Sequence, residues 1–423
     1  MQKITPGGIG ASNMEKYLSA MLERGMKKSG ALQVTFPSGA VKVFGDGSDP
    51  VAKIRLTDPG AVRAAWFDPN LQFAELYMDG RLIVEEGSLY DFMALAKKNG
   101  AKNFASAGAV AREMGRMIHR KLRRHVLPET AKGNVAHHYD LDEKLFRLFL
   151  DTDLQYSCAY FETGDETLEE AQRKKKRHIA AKMLLKPGQR ILDIGCGWGG
   201  MGIYLAQTTG ADVTGVTLSE EQHRVANQRA ADLGIADRCR FLLQDYRKVE
   251  GQFDRVVSVG MFEHVGPHHF DEYFQTIYKL LTDDGAALIH SIGRAKRNLS
   301  DPPFIEKYIF PNGHIPPLSE TLPAVEKAKF LVKDIEILTK HYAYTLAEWR
   351  KRFHENREAV LELYDERFFR MWDVYLIASE ISFLYGKLTN FQIQLTKRHD
   401  EAPRNRNYIQ EEEARLAALE PPL

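Results

Sequence analysis

Residues 191–200 read Ile191-Leu192-Asp193-Ile194-Gly195-Cys196-Gly197-Trp198-Gly199-Gly200, an apolar run that breaks into closely spaced glycines. The pattern predicts a buried strand turning sharply into a helix. Gly195, Gly197 and Gly199 leave backbone bare where a ligand can lie against it. Glycine loops of this kind also hold dinucleotides. Asp193 separates the two cases: a carboxylate at the top of the first strand repels a pyrophosphate and suits a cationic, amine-bearing ligand. A tight turn that binds nothing is the competing reading, and the flanking strand and helix weigh against it.

The neighbouring segments repeat the strand–helix alternation. RILDIG, DVTGVTL, RFLLQD, FDRVVSVG and GAALIHSIG are separated by helical stretches between about residues 135 and 300. Five short, nearly continuous apolar strands at such intervals predict a parallel sheet covered on both faces. Thr167 with Glu170 forms a capping box opening the helix LEEAQRKKKRHIAAKMLL, whose cations at 173–177 are expected on a solvated face. Thr217 and Gln222 follow the second strand and suit a ribose. Asp245 and Tyr246 follow the third, with the carboxylate placed to accept from an adenine amino group. The fourth strand delivers Glu263-His264 to the same carboxyl edge, where such sheets bind ligands. If that strand continues, the two side chains point opposite ways; Glu263 is assigned to the site and His264 to the structure. An amine-bearing sulfonium compound without phosphate is S-adenosylmethionine.

The chain has 423 residues, 44% of them hydrophobic, enough for two or three domains. Lys and Arg total 58 against 57 acids, so no global field draws it to nucleic acid. Three cysteines without metal-type spacing point to a reducing compartment and no metal. With no secretory leader and no run of 18 apolar residues, a cytoplasmic protein, soluble or peripheral, is expected. Residues 1–125 read as a small α+β domain. At its end Arg112, Arg116, Arg120 and Arg124 share one helix face, with Val110, Met114, Ile118 and Leu122 nearly opposite; such a helix suits either a lipid interface or a linker. After 300, LVKDIEIL and NFQIQLTK read as strands closing the sheet edge, the second half-exposed because Phe391, Ile393 and Leu395 alternate with polar residues. The acidic tail EEEARLAALEPPL is expected to form a terminal helix that frays.

LQYSCAYF, LDIGCGWGG, GVTLSEEQ, LLQDYR, FDRVVSVGMFEHVG, IHSIG, FIEKYIFPNGHIP and HYAYTL stand in sequence across about 155–346, and in that order the chain resembles the cyclopropane-fatty-acyl-phospholipid synthases. The resemblance implies an α/β class I methyltransferase fold, Rossmann-like, with a seven-stranded mainly parallel sheet. It implies a small N-terminal domain over 1–125, a linker over 126–150 and a catalytic domain over 151–423 with a helical C-terminal insertion. The implied reaction carries a methylene from S-adenosylmethionine to the cis double bond of a phospholipid acyl chain. Family members use a bound bicarbonate ion as base, and its holders fall on Cys158, Glu263, His290, the backbone at Ile292, and Tyr342. Tyr344, in the same strand-like stretch, competes with Tyr342. Cofactor contacts fall on Tyr156, Ser157, Asp193, Gly195, Gly197, Gly199, Thr217, Gln222, Asp245 and Tyr246. Ser379 stands where some members carry cysteine, which argues against an essential thiol there. The family also implies peripheral association with the inner face of the membrane and a homodimer.

An isolated alkene is a poor nucleophile, so alignment with the sulfonium methyl is the main catalytic task. The carbocation that follows suits nearby aromatic faces, Tyr156, Tyr160, Phe161 or Phe262 being the candidates, until a base removes a proton and the ring closes. The segment FIEKYIFPNGHIPP reads as a lid over the acyl pocket. Rival readings are a same-fold enzyme making a methyl-branched lipid, a small-amine N-methyltransferase, and a lipid-binding module with a vestigial cofactor fold.

Overall fold

The computed structural model describes residues 11–28, 30–100, 143–297, 302–311 and 313–422, together with Phe104, Arg112, Met114 and Gly115. The basic helix expected at 109–125 therefore lies, apart from Arg112, Met114 and Gly115, outside the described residues, as does most of the linker at 126–150.

Two compact units divide the chain. The first holds residues 1–128, 300–311 and 357–386. Its sheet has the order β2-β1-β3-β4, formed by β1 (Ala31–Thr35), β2 (Val41–Gly45), β3 (Val51–Leu56) and β4 (Leu82–Glu86). The segment FAELYM closes a helix, Pro69–Met78, that starts with proline at its first position. The expected boundary shifts here: 300–311 and 357–386 belong to this unit and not to a single block over 151–423. The helix Glu366–Leu384 buries Trp372, Leu376 and Ile377 while packing on Pro69–Met78 and Leu89–Asn99. Tyr77 Oη donates to Asp373 at 3.4 Å, and Lys97 Nζ to Ser382 Oγ at 3.2 Å. The expected lid begins as a short helix, Pro303–Tyr308, in which Tyr308 Oη donates to Glu75 at 2.8 Å.

The second unit is built on seven strands: β5 (Arg190–Ile194), β6 (Asp212–Thr217), β7 (Cys239–Leu243), β8 (Phe253–Val259), β9 (Leu281–Arg294), β10 (Leu331–Ile337) and β11 (Leu388–Thr396). Their order is β10-β11-β9-β8-β5-β6-β7. β11 runs antiparallel to both neighbours, and β9, β8, β5, β6 and β7 are parallel. The mainly parallel class I sheet is thus present. Strand order reverses between β5 and β8, and a crevice forms at the carboxyl ends of such a pair. One face packs Ile191, Val213, Val257 and Leu288 with Ile203 and Leu205 of the helix after the glycine loop. The other packs Leu192, Ile194, Val256 and Ile289 with Phe274 and Ile277 of the helix Phe270–Leu280.

Three expectations change in this unit. The cation run at 173–177 is only partly a solvated face: Lys175 and Lys176 are buried while Arg173, Lys174 and Arg177 are half-buried, and further along the same helix, Leu168–Met183, His178 and Lys182 are buried too. The tail forms the expected helix, Asn407–Ala417, but this helix does not fray: it packs along Leu168–Met183. His178 sits between Glu336 and Glu413 at 2.6 and 2.7 Å, and Glu420 accepts from Arg177 and from Tyr204 Oη. β11, finally, is buried on both faces. Its polar residues Asn390, Gln392 and Gln394 face that same helix, where Gln394 Nε2 donates to the Lys182 carbonyl at 2.5 Å.

Candidate active site

The glycine loop opens at the end of β5. Gly195 and Cys196 N–H both donate to the Val216 carbonyl, at 2.9 and 3.1 Å, which ties the loop to β6. All three glycines have positive φ, +79°, +55° and +84° at 195, 197 and 199. A Cβ at Gly195 would lie 2.7 Å from Met261 Cγ, and one at Gly199 2.8 Å from Phe241 Cζ. At Gly197 nothing lies within 4 Å. Gly195 and Gly199 are needed for packing, and Gly197 alone faces open space. Asp193 is 1% exposed and its Oδ2 has no partner. Burial pushes its carboxyl up to about 7, against the pull of Lys175. An orphaned, buried acid beside a side-chain-free loop fits an amine-bearing cofactor.

The next two loops reach the same edge. Thr217 Oγ1 donates to Gln222 Oε1 at 2.8 Å, so the pair brace one another. Asp245 is engaged on both oxygens: Oδ1 accepts from Arg247 N–H and Nε, and Oδ2 from Nη2 at 2.6 Å. Burial raises this carboxyl, but the Arg247 bonds outweigh it and hold it low. Tyr246 packs edge-on against Tyr273 at 5.6 Å, and burial pushes its phenol up.

The segment 156–158 crosses toward the helix Thr339–Glu355. Tyr156 stacks on Trp349 with centroids 5.1 Å apart. Cys158 is 1% exposed; its thiol donates to the Ala159 carbonyl at 3.3 Å and burial pushes its pKa up. Ala159 N–H donates to Thr345 Oγ1 at 3.0 Å. HYAYTL is thus helical, not strand-like, and Tyr342 and Tyr344 stand about 200° apart around the axis. Tyr342 packs edge-on to Trp349 at 6.1 Å, and through it faces Tyr156. Tyr344 is 41% exposed. Of the aromatic faces expected to meet a cation, two are already committed. Phe262 is buried among Phe270, Tyr273 and Phe274, and Tyr160 is stacked between His178 and His341 at 4.4 and 4.8 Å.

Glu263 and His264 lie on a 3₁₀ turn, Phe262–His264, past the end of β8 at Val259, so strand alternation does not set their directions. Glu263 Oε1 accepts the Ile292 N–H at 2.6 Å. Its Oε2 is buried without a partner. Burial pushes this carboxyl up to about 7, with the Ile292 N–H opposing. Burial likewise holds His264 down at about 4. His290 is 2% exposed on β9. Its Nε2 lies 2.9 Å from the Asn390 amide and its Nδ1 3.1 Å from the Gln392 amide, so protein groups occupy both ring nitrogens.

Lys175 was missed by the sequence reading. Its Nζ donates to Gln155 Oε1 at 2.6 Å and to Ser157 Oγ at 2.8 Å. It lowers the carboxyl of Asp193, the thiol of Cys158 and the ring of His290, and burial brings its own pKa down to about 8. A signal was present: Leu168, Ala171, Lys175, Ile179 and Lys182 share helical spacing, which places both lysines on the apolar stripe. Beside the 147–154 turn lies a cavity of about 820 Å³, lined largely by charged side chains such as Asp151, Glu169, Lys351 and Arg352; that lining does not suit hydrocarbon.

The model of the family described as mycolic acid cyclopropane synthetase matches residues 128–393. A second, described as a domain of unknown function, matches 18–107. The chain is 37% identical over 357 residues to the cyclopropane-fatty-acyl-phospholipid synthase of Escherichia coli K12, covering 83% of this chain and 89% of that enzyme. It is 37% identical over 282 residues to the tuberculostearic acid methyltransferase UfaA1 of Mycobacterium tuberculosis H37Rv, covering 64% and 66%. Among solved structures, mycolic acid cyclopropane synthase CmaA1 complexed with SAH and CTAB superposes with a TM-score of 0.59 at 33% identity, over 62% of this chain and 97% of that one. A glycine loop on a reversed-order sheet, a glutamate with one buried, unpartnered oxygen on the turn after β8, and matches of this extent agree: the chain belongs to the mycolic acid cyclopropane synthetase family.

Proposed function

We propose that the chain cyclopropanates the cis double bond of an unsaturated phospholipid acyl chain, using S-adenosylmethionine. The observation that carries the reading is Glu263, a buried carboxylate with one oxygen bonded to Ile292 N–H and the other unpartnered, in a chain similar over 83% of its length to such a synthase.

S-adenosylmethionine, when bound, supplies a methyl group on a sulfonium. Asp193 would receive its amino group, Gly197 would give it backbone to lie against, and Thr217 with Gln222 would meet the ribose. Asp245, held by Arg247, and Tyr246 would border the adenine. Tyr156 and Ser157 would close the cofactor side, the first braced by Trp349 and the second by Lys175. A bicarbonate ion, when bound, supplies the base that removes the proton before ring closure. The free Glu263 Oε2 fits it, being an acceptor for the proton of that ion. Cys158, Tyr342, the Ile292 N–H and the neighbourhood of His290 would enclose it. Burial of these groups strengthens every charge interaction among them.

The proposal includes peripheral binding to the cytoplasmic face of the membrane. The alternating cations and apolar residues over 109–125 support it. A homodimer is proposed on the family resemblance alone. Among the described residues no helix is long and apolar enough to cross a membrane.

The test is methyl-labelled S-adenosylmethionine with vesicles of cis-monounsaturated phospholipid, the lipid product read by mass spectrometry and NMR. Cyclopropane ring protons are expected, and Glu263→Gln should suppress them by about 100-fold or more while leaving cofactor binding intact. A methyl-branched product would move the chain to the sister chemistry. Cofactor binding without any lipid labelling would overturn the lipid reading.

A further inference from the structure

Three buried amides stand in a row on the inner face of β11: Asn390, Gln392 and Gln394 are 0%, 1% and 3% exposed. Buried amides are costly unless they are bonded, so their partners define their orientation. Lys182 Nζ donates to Gln392 Oε1 at 2.8 Å. An ammonium only donates, so this contact fixes which end of the Gln392 amide is oxygen. Its Nε2 is then the atom 3.1 Å from His290 Nδ1. An amide NH₂ also only donates, and Nδ1 must therefore be the bare nitrogen of the ring. The proton of a neutral imidazole then sits on Nε2, which lies 2.9 Å from the Asn390 amide.

The Asn390 group completes the pattern. Its Nδ2 is the atom facing Nε2, while its Oδ1 is buried with no partner. The two ends of an amide are nearly identical in shape. A half-turn places Oδ1 on the His290 Nε2–H and removes both faults together. The freed Nδ2 then becomes a donor on the residue paired with Ile292 across the β11–β9 ladder.

We propose that Gln392 and Asn390 are positioning residues that hold His290 as a neutral imidazole with its proton on Nε2. A charged ring is disfavoured by burial and by most of the charges that face it. Burial opposes it first, and Lys175, Lys182 and His178 of the helix Leu168–Met183 add to this; Glu336 of β10 alone acts the other way. His290 is then a fixed dipole and not a proton carrier. Its service to catalysis rests on the proposed function, whereas its protonation state does not.

Two measurements test this. The first is NMR of the full chain carrying ¹⁵N-labelled histidine, saturated with S-adenosylhomocysteine, the His290 signals being identified by their loss in His290→Gln. Nε2 should show a protonated and Nδ1 an unprotonated nitrogen, unchanged from about pH 6 to 9. A proton on Nδ1, or titration in that window, would overturn the proposal whether or not lipid is the substrate. The second is Gln392→Glu. The carboxylate keeps its volume and its bond to Lys182 but can only accept, so it draws the proton to Nδ1. The expected result is a kcat at least about 10-fold lower with S-adenosylmethionine affinity and Tm near wild type. Unchanged kcat would reduce Gln392 to a packing role and sink the idea. Should this variant fail to fold, the NMR measurement decides alone.

Discussion

Glu263 Oε1 accepts the backbone N–H of Ile292 at 2.6 Å, joining the turn after β8 to the end of β9. One bond thereby anchors the carboxylate through one of its two oxygens. The other oxygen is left buried and unbonded. Asp193, at the end of β5, is in the same condition. Two acids kept partly unsatisfied at the carboxyl ends of adjacent strands weaken the ligand-free fold and suit a ligand that completes them.

Stability should register that weakness as pH changes. Both acids have folded values near 7, above their ordinary 3.8 and 4.5. Between those limits the folded chain holds protons that the unfolded chain has lost, so stability is greatest at the acid end, falls as pH rises, and levels above about 7. Urea unfolding of the ligand-free chain at pH 5 and pH 8 should show a loss on the order of 3 kcal/mol per acid. Glu263→Gln should remove about half of the loss due to the pair; an unaltered pH difference contradicts the assignment.

The glycine loop separates packing from binding. Gly199→Ala places a Cβ 2.8 Å from Phe241 and 2.9 Å from Ala226, and should lower stability by about 1–3 kcal/mol, visible as a lower Tm. Gly197→Ala meets no protein atom within 4 Å. It should cost only the left-handed backbone, about 1–2 kcal/mol, yet weaken S-adenosylmethionine at least about 10-fold by calorimetry, since a methyl worth of space matters at close approach.

Lys175→Met keeps the length of the side chain and removes its charge. Gln155 Oε1 and Ser157 Oγ lose their donor, at a cost of about 1–3 kcal/mol. The carboxyl of Asp193 also loses the cation that lowers it. Cofactor affinity should therefore fall most near pH 6.5 and recover toward pH 9, where Asp193 ionises again. Uniform loss at both pH values would assign Lys175 to packing alone.

Removing residues 407–423 should destabilise the second unit. Ile409 and Leu416 leave the core, about 1.5–3 kcal/mol each, and Arg177 and His178 lose Glu420 and Glu413. Thermal unfolding should show a large drop in Tm. A shift of only a degree or two would mean the tail is dispensable.

Much of this was legible in local pattern. The spacing of Gly195, Gly197 and Gly199 after ILDI predicted the strand and the sharp turn into a helix. Thr167 and Glu170 marked a helix start that the structure reproduces, with Thr167 Oγ1 accepting from Glu170 N–H at 3.3 Å. Five apolar runs and two closing strands defined the sheet, because burial on both faces dictates both composition and spacing. Motif order pointed to Glu263, and family membership followed.

What local pattern could not decide is which polar groups end up inside. Lys175 and Lys176 belong to what resembles a solvated cation run until the tail, more than 200 positions later in the chain, covers their helix. Asn390, Gln392 and Gln394 look like the wet side of a strand until Lys182 and His290 arrive from elements 100 to 212 residues away. Glycine loops and strand runs answer to forces acting within a few residues. The protonation of His290 and the unsatisfied state of Glu263 answer to partners brought together only by the closed sheet, where burial turns each hydrogen bond into a constraint.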